Sequence, residues 1–153
     1  MHTKYIMEKE NNYRTKKKYQ ISIRRFYISD SPSKEISKYL SIDKGGFKNY
    51  LDGQILPDML SENFGVIWGI DHIVPVEVFD LNNEEDLKLC YHYLNMFPMF
   101  NEDNRLKGCS VHFSIQKLQN KIQKETDPGN IEILTKLISK CEHEIENRYN
   151  KYL

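Results

Sequence analysis

Residues 68–81 read W-G-I-D-H-I-V-P-V-E-V-F-D-L, and this run limits the fold more than any other. Residues 64–78 are rich in strand formers, yet Pro75 lacks the N–H that a central strand needs, so it marks an edge or an ending. Asp71 and His72 stand where Val and Ile would complete a plain strand, so this polar pair needs a purpose. Downstream, D-L-N-N-E-E-D (80–86) reads as an acidic loop and residues 87–96 as a second extended run. After Pro98, N-E-D-N-R-L-K-G reads as a short helix with Asn101 as its cap and Gly108 as its stop. Strand, loop, strand and helix in that order predict an α+β fold with a small sheet.

Helices are expected on both sides of this unit. S-D-S-P-S-K-E-I-S-K-Y-L carries a helix start, with Ser31 as cap and Pro32 at the first helical position. Lys44-Gly45-Gly46 interrupts, and F-K-N-Y-L-D-G then resumes at helical spacing toward Gly53. Two C-terminal helices are expected, joined by a tight turn at Asp127-Pro128-Gly129-Asn130. The second carries a stripe of Ile131, Leu134, Ile138, Cys141, Ile145 and Tyr149. That stripe suits packing against the chain's own core, and it also suits a homodimer formed through the C-terminal helices.

The chain of 153 residues fits one compact unit with extensions: a basic N-terminal arm (1–28), a central domain (29–109) and a helical extension (110–153). Net charge is zero but uneven. Residues 1–27 carry Lys4, Lys9, Arg14, Lys16, Lys17, Lys18, Arg24 and Arg25 against Glu8 and Glu10, interleaved with aromatics and without clear helical spacing. An arm of this composition is suited to contact nucleic-acid phosphates. Residues 77–103 are acidic, and the stretch 77–86 is expected to face away from a duplex or to order only with metal. Three cysteines without C-x-x-C spacing argue against a disulfide framework or a structural zinc site. No apolar window is long enough for a membrane span and no leader is evident, so the expected location is intracellular.

The predicted topology brings Asp71, His72, Asn95 and Asn104 near one another. Asp71 and Asn104 offer hard oxygens of the kind that hold Mg²⁺ or Mn²⁺, and a neutral histidine beside them can take a proton from water. A hard cation beside such a base is apparatus for phosphodiester hydrolysis.

Four segments now carry a more specific likeness: W-G-I-D-H-I-V-P (68–75), F-D-L (79–81), C-Y-H-Y-L-N-M-F-P-M (90–99) and D-N-R-L-K-G (103–108). Together they resemble the HNH endonucleases of the phage-type branch, in the HNN variant with asparagine at the third motif position. The likeness covers residues 45–109. Met96-Phe97 departs from the Leu-Gln that is frequent before the proline. The resemblance implies a ββα-metal (HNH) core with N-terminal helices and a C-terminal helical pair. It makes His72 the general base, Asp71 and Asn104 the ligands of one Mg²⁺ or Mn²⁺ ion, and Asn95 the brace that orients His72. It implies metal-dependent cleavage of DNA, with a duplex as the expected substrate and 5′-phosphate and 3′-hydroxyl ends as products. The setting it implies is the cytoplasm of a bacterium or of a phage- or virus-infected cell. Arg105 and Lys107 flank Asn104 and are expected to meet phosphates, together with Arg14, Lys16, Lys17, Lys18, Arg24 and Arg25. His92 is expected to be structural and half-buried. The alternative is a non-catalytic nucleic-acid-binding or assembly protein on an HNH scaffold.

Overall fold

A computed structural model describes residues 2–29 and 34–153. Along the chain run α1 (His2–Ile28), α2 (Lys34–Leu40), α3 (Lys44–Asp52), β1 (Trp68–His72), α4 (Glu84–Cys90), β2 (Met96–Phe100), α5 (Asn101–Lys107), α6 (Val111–Ile122) and α7 (Pro128–Asn150). The class is α+β. Ser31 and Pro32, the expected helix start, lie outside the described residues.

Composition suggests an irregular arm over residues 1–28, but residues 2–28 form one helix. Its C-terminal half buries Tyr19, Ile23 and Phe26, which recur at four- and three-residue steps on one face. Its N-terminal half is largely exposed. Tyr27 donates to Asp52 Oδ1 at 2.8 Å, fixing α1 to the end of α3. The Gly45-Gly46 pair does not interrupt α3 but lies in its first turn, where Asp43 accepts from the Gly46 N–H at 2.7 Å.

The extended run expected at 87–96 is also corrected. Asn83 caps α4 by accepting from the Glu85 and Asp86 N–H groups, each at 3.0 Å. Glu84, Glu85 and Asp86 occupy the first turn, where carboxylates complement the positive end of the helix dipole. The acidic segment is therefore partly a helix start. Leu87, Cys90, Tyr91 and Leu94 are buried at helix-like steps.

The second strand is β2, later in the chain than its expected place, and it pairs antiparallel with β1 from Trp68↔Phe100 to His72↔Met96. Pro98 lies inside it, opposite Ile70. A two-stranded sheet has only edge strands, so it tolerates the missing donor. The chain enters α5 directly from β2. Asn101 is not the cap but occupies the first helical position, and its backbone N–H and side-chain Nδ2 donate to the Ile67 and Val66 carbonyls at 2.9 and 2.8 Å. Gly108 ends α5 at φ +51°, a conformation open to glycine.

Asp127 and Pro128 open α7 rather than forming a separate turn: Asp127 accepts from the Asn130 N–H at 2.8 Å and Pro128 lies in the first turn. Leu134, Leu137 and Cys141 of α7 are buried, Ile138 and Ile145 pack against the core, and Tyr149 is exposed. One apolar cluster runs from Tyr19 of α1 through Phe47, Ile73, Tyr91 and Phe97 to Leu118 and Cys141, so N-terminal, central and C-terminal segments share a core. Among the described residues, no helix is long and apolar enough to cross a membrane.

Candidate active site

A cleft of about 550 Å³ lies between α1 and the strand–strand–helix unit. Asp71 and His72 from the end of β1, and Asn104 and Lys107 from α5, form one wall. Lys16, Lys17, Gln20 and Arg24 of α1 face them. Asn104 and Lys107 are three residues apart, so both turn toward β1. Arg105 is rotated away from them and pairs with Glu102 at 2.6 Å in an exposed contact.

Lys107 does not stand free for phosphate. Its side chain is 4% exposed, and its ammonium donates to Asp71 Oδ2 and to the His72 carbonyl, each at 2.8 Å. Half-buried Asp71 thus carries its own counter-ion. His72 borders the cleft, while its Nε2 is sealed from solvent and without a partner. Its ring meets Tyr91 edge-on, with centroids 5.1 Å apart. Burial pushes the His72 pKa down to about 4, with Asp71 opposing and Lys107 and Lys16 reinforcing the fall. The imidazole is therefore neutral near pH 7.

Asn95 does not line the cleft. It is fully buried beneath it, in the short turn Tyr93–Asn95, whose start is capped by half-buried His92. Its Oδ1 accepts from the Val74 N–H at 2.8 Å, and its Nδ2 donates to the Cys90 and Val74 carbonyls at 2.9 and 3.4 Å. The Ile73 N–H donates to the Asn95 carbonyl at 2.7 Å, and Ser114 of α6 donates to the Ile73 carbonyl at 2.6 Å. These bonds fix the backbone that leaves His72.

The cations of α1 divide by helical face. Lys16 pairs with Glu77 at the cleft edge. Lys17 is exposed beside it, and Arg24 lies over the Phe64 ring at 5.5 Å. Lys18 turns away and pairs with Glu35 at 2.8 Å. Arg14 and Arg25 are exposed and do not line the cleft. Gly65, at φ +84°, lies close under Arg24: a Cβ there would meet Nη2 at 2.6 Å. Sequence reasoning misses the α1 wall, although Tyr19, Ile23 and Phe26 carry its period. It also misses the Lys107–Asp71 pair, although Lys107 shares a helix face with Asn104.

Among the described residues, no three His, Cys, Asp or Glu side chains converge as a ligand set. The available donors are the Asp71 carboxylate and the Asn104 amide, with a neutral imidazole next to the carboxylate. Such a set fits Mg²⁺ or Mn²⁺, because hard cations of this size bind through one or two carboxylates and complete their shell with water and phosphate. Among the described residues, His72 Nε2 and the hydroxyl of neighbouring Tyr91 are the buried side-chain polar atoms left without a bond.

No protein-family model matches the chain, and no solved structure matches it. It is similar to two curated proteins of Acanthamoeba polyphaga mimivirus. "Uncharacterized protein L426" is 33% identical over 100 residues, covering 65% of this chain and 44% of that protein. "Uncharacterized protein L246" is 32% identical over 95 residues, covering 62% and 42%. The chain thus spans less than half the length of these relatives.

Proposed function

We propose that the chain is a metal-dependent endonuclease of the HNH type, in its HNN form, hydrolysing DNA phosphodiester bonds. One observation carries this reading: Asp71, His72 and Asn104 share a single cleft whose facing wall is the cationic side of α1. The order β1, β2, α5, with the acid–histidine pair ending the first strand and the amide on the helix, supports a ββα-metal core.

Asp71 and Asn104 would hold one Mg²⁺ or Mn²⁺ ion, which supplies charge stabilisation at the phosphate and the leaving oxygen. His72 takes the proton of the attacking water. Nδ1 is the ring nitrogen left for this step, because Nε2 is sealed. An anionic phosphate entering the cleft raises the proton affinity of His72 toward the range useful for a base. Asn95 holds the backbone behind the base, and Lys107 holds the Asp71 carboxylate in place. Lys17 and Arg24 bind the DNA backbone without reading its sequence. The viral origin of the two relatives favours an infected cell as the setting.

Supercoiled plasmid incubated with the protein and Mg²⁺ or Mn²⁺ tests this function. Nicked or linear product is expected, falling by about 10²–10⁴-fold in His72→Ala. Asn104→Ala is expected to lose Mg²⁺-supported cleavage while still binding DNA. Cleavage that persists in EDTA, or a fully active His72→Ala protein, overturns the mechanism. The Lys107 ammonium on Asp71 favours one second reading, a non-catalytic nucleic-acid-binding protein on the same scaffold. DNA binding without cleavage in either metal would select it.

A further inference from the structure

We propose that α6 and the turn after it carry a second nucleic-acid surface, separate from the cleft, where Lys117, Lys121 and Lys124 receive the phosphodiester backbone. This rests on the reading of the cleft as a nucleic-acid site. Lys117 and Lys121 are four residues apart and share one face of α6, and Lys124 lies in the turn that follows the helix. They line a recess of about 520 Å³ together with Tyr50 of α3, Gln54 just after it, and Glu125.

Their settings differ from those of the ion-paired lysines. Lys117 lies 4.3 Å above the Phe97 ring. Lys121 donates to Tyr50 Oη at 2.7 Å and Gln54 Oε1 at 3.2 Å, and lies 4.8 Å over the Tyr50 ring. Among the described residues, none of the three has a carboxylate partner, whereas Lys88, Lys136 and Lys140 pair with Glu85, Glu132 and Asp86. The neighbouring acid, Glu125, is already committed. Its Oε1 accepts from the Thr126 and Asp127 N–H groups at 2.9 and 3.0 Å, and its Oε2 accepts from Asn130 Nδ2 at 3.2 Å.

A half-buried cation set among neutral acceptors and ring faces loses hydration, and for Lys121 the pull of Glu125 offsets this loss only in part. Burial pushes the Lys121 pKa down to about 8 and also lowers that of Lys117. An arriving anion reverses both costs. Three cations spread along α6 and the turn after it match a row of charges better than a single anion, which favours the nucleic-acid backbone over free phosphate. The stripe also adjoins the cleft unit, because Phe97 beneath Lys117 is the cross-strand partner of Asp71.

The test measures binding of the whole chain to a short DNA duplex in EDTA, by fluorescence anisotropy across a salt series. Lys117→Gln/Lys121→Gln/Lys124→Gln is expected to flatten the slope of log affinity against log salt by about 0.9 for each phosphate that is no longer neutralised. The control Lys88→Gln/Lys136→Gln/Lys140→Gln, with the same change in charge, is expected to change the slope much less. Lys117→Gln/Lys124→Gln leaves the Lys121–Tyr50 bond in place and is expected to show the same effect in part, with unchanged thermal unfolding. The three Lys→Arg changes together are expected to restore the slope. Equal effects in the test and control triples overturn the proposal. Saturable binding of inorganic phosphate, followed through the Lys121 side-chain resonance, with an unaltered DNA slope in the triple variant overturns it too. If the unmutated chain does not bind DNA, the reading of the cleft itself falls. If it binds with a slope indifferent to α6, only this surface falls.

Discussion

The two walls of the cleft are built on different principles. On the β1 and α5 wall the groups proposed for chemistry are tied down: Asp71 by Lys107, and the backbone after His72 by Asn95 and Ser114. On the α1 wall the buried face is fixed by Tyr19, Ile23 and Phe26, while Lys17 and Arg24 reach out on long side chains. Chemistry at a single phosphorus needs atoms held in place, and binding to a repetitive charged backbone does not. Mutations on the two walls should therefore separate stability from binding.

The largest loss is expected at Asn95. Asn95→Ala strands the Val74 N–H and the Cys90 carbonyl in the core, at about 1–3 kcal/mol for each unmade bond. Urea unfolding measures this, and a loss below about 1 kcal/mol would mean that the brace is dispensable. Lys107→Met leaves Asp71 half-buried without its counter-ion. Because that carboxylate keeps some exposure to water, the expected cost is about 1–2 kcal/mol, less than for a fully buried pair. If the variant is as stable as the parent, the pair only fills space.

Acid should also act through the fixed wall and the buried turn beneath it. His72 and His92 are held by burial at about 4 in the folded chain, below the ordinary 6.5. The unfolded chain then binds more protons between these values. Their contribution is complete above pH 6.5 and is lost as the pH falls toward 4. Unfolding midpoints measured across that window should decline, and should decline less in His92→Gln. A flat profile would show that neither ring is desolvated. The smallest effect on stability is expected on the other wall: Lys17→Gln and Arg24→Gln should each shift it by less than about 0.5 kcal/mol. Each should still flatten the salt dependence of DNA binding by about 1. Destabilisation by either change would make α1 as rigid a wall as its opposite.

What the sequence reveals and what it hides follow the same division. Local devices are legible: the Gly108 stop, the break between two C-terminal helices near Asp127, and the closeness of Asp71, His72 and Asn104. α1 is hidden because its apolar period occupies only its second half, while its first half exposes Tyr5, Ile6, Met7 and Tyr13 to water. α4 is hidden because Leu87, Leu89 and Tyr91 also alternate as a strand would, although Asn83 and three acids announce a helix. The Lys107–Asp71 bond spans residues far apart in the chain and depends on the β1–α5 packing, so neither residue declares it alone.

Gly65 gives the loose wall one hidden control. With φ at +84° and the Arg24 guanidinium where a Cβ would stand, the residue without a side chain decides where a distant cation rests. Gly65→Ala combines a backbone penalty of about 1–2 kcal/mol with eviction of that guanidinium. In a genetic screen, such an allele would share the binding defect of an Arg24 lesion while leaving every charge in the protein unchanged.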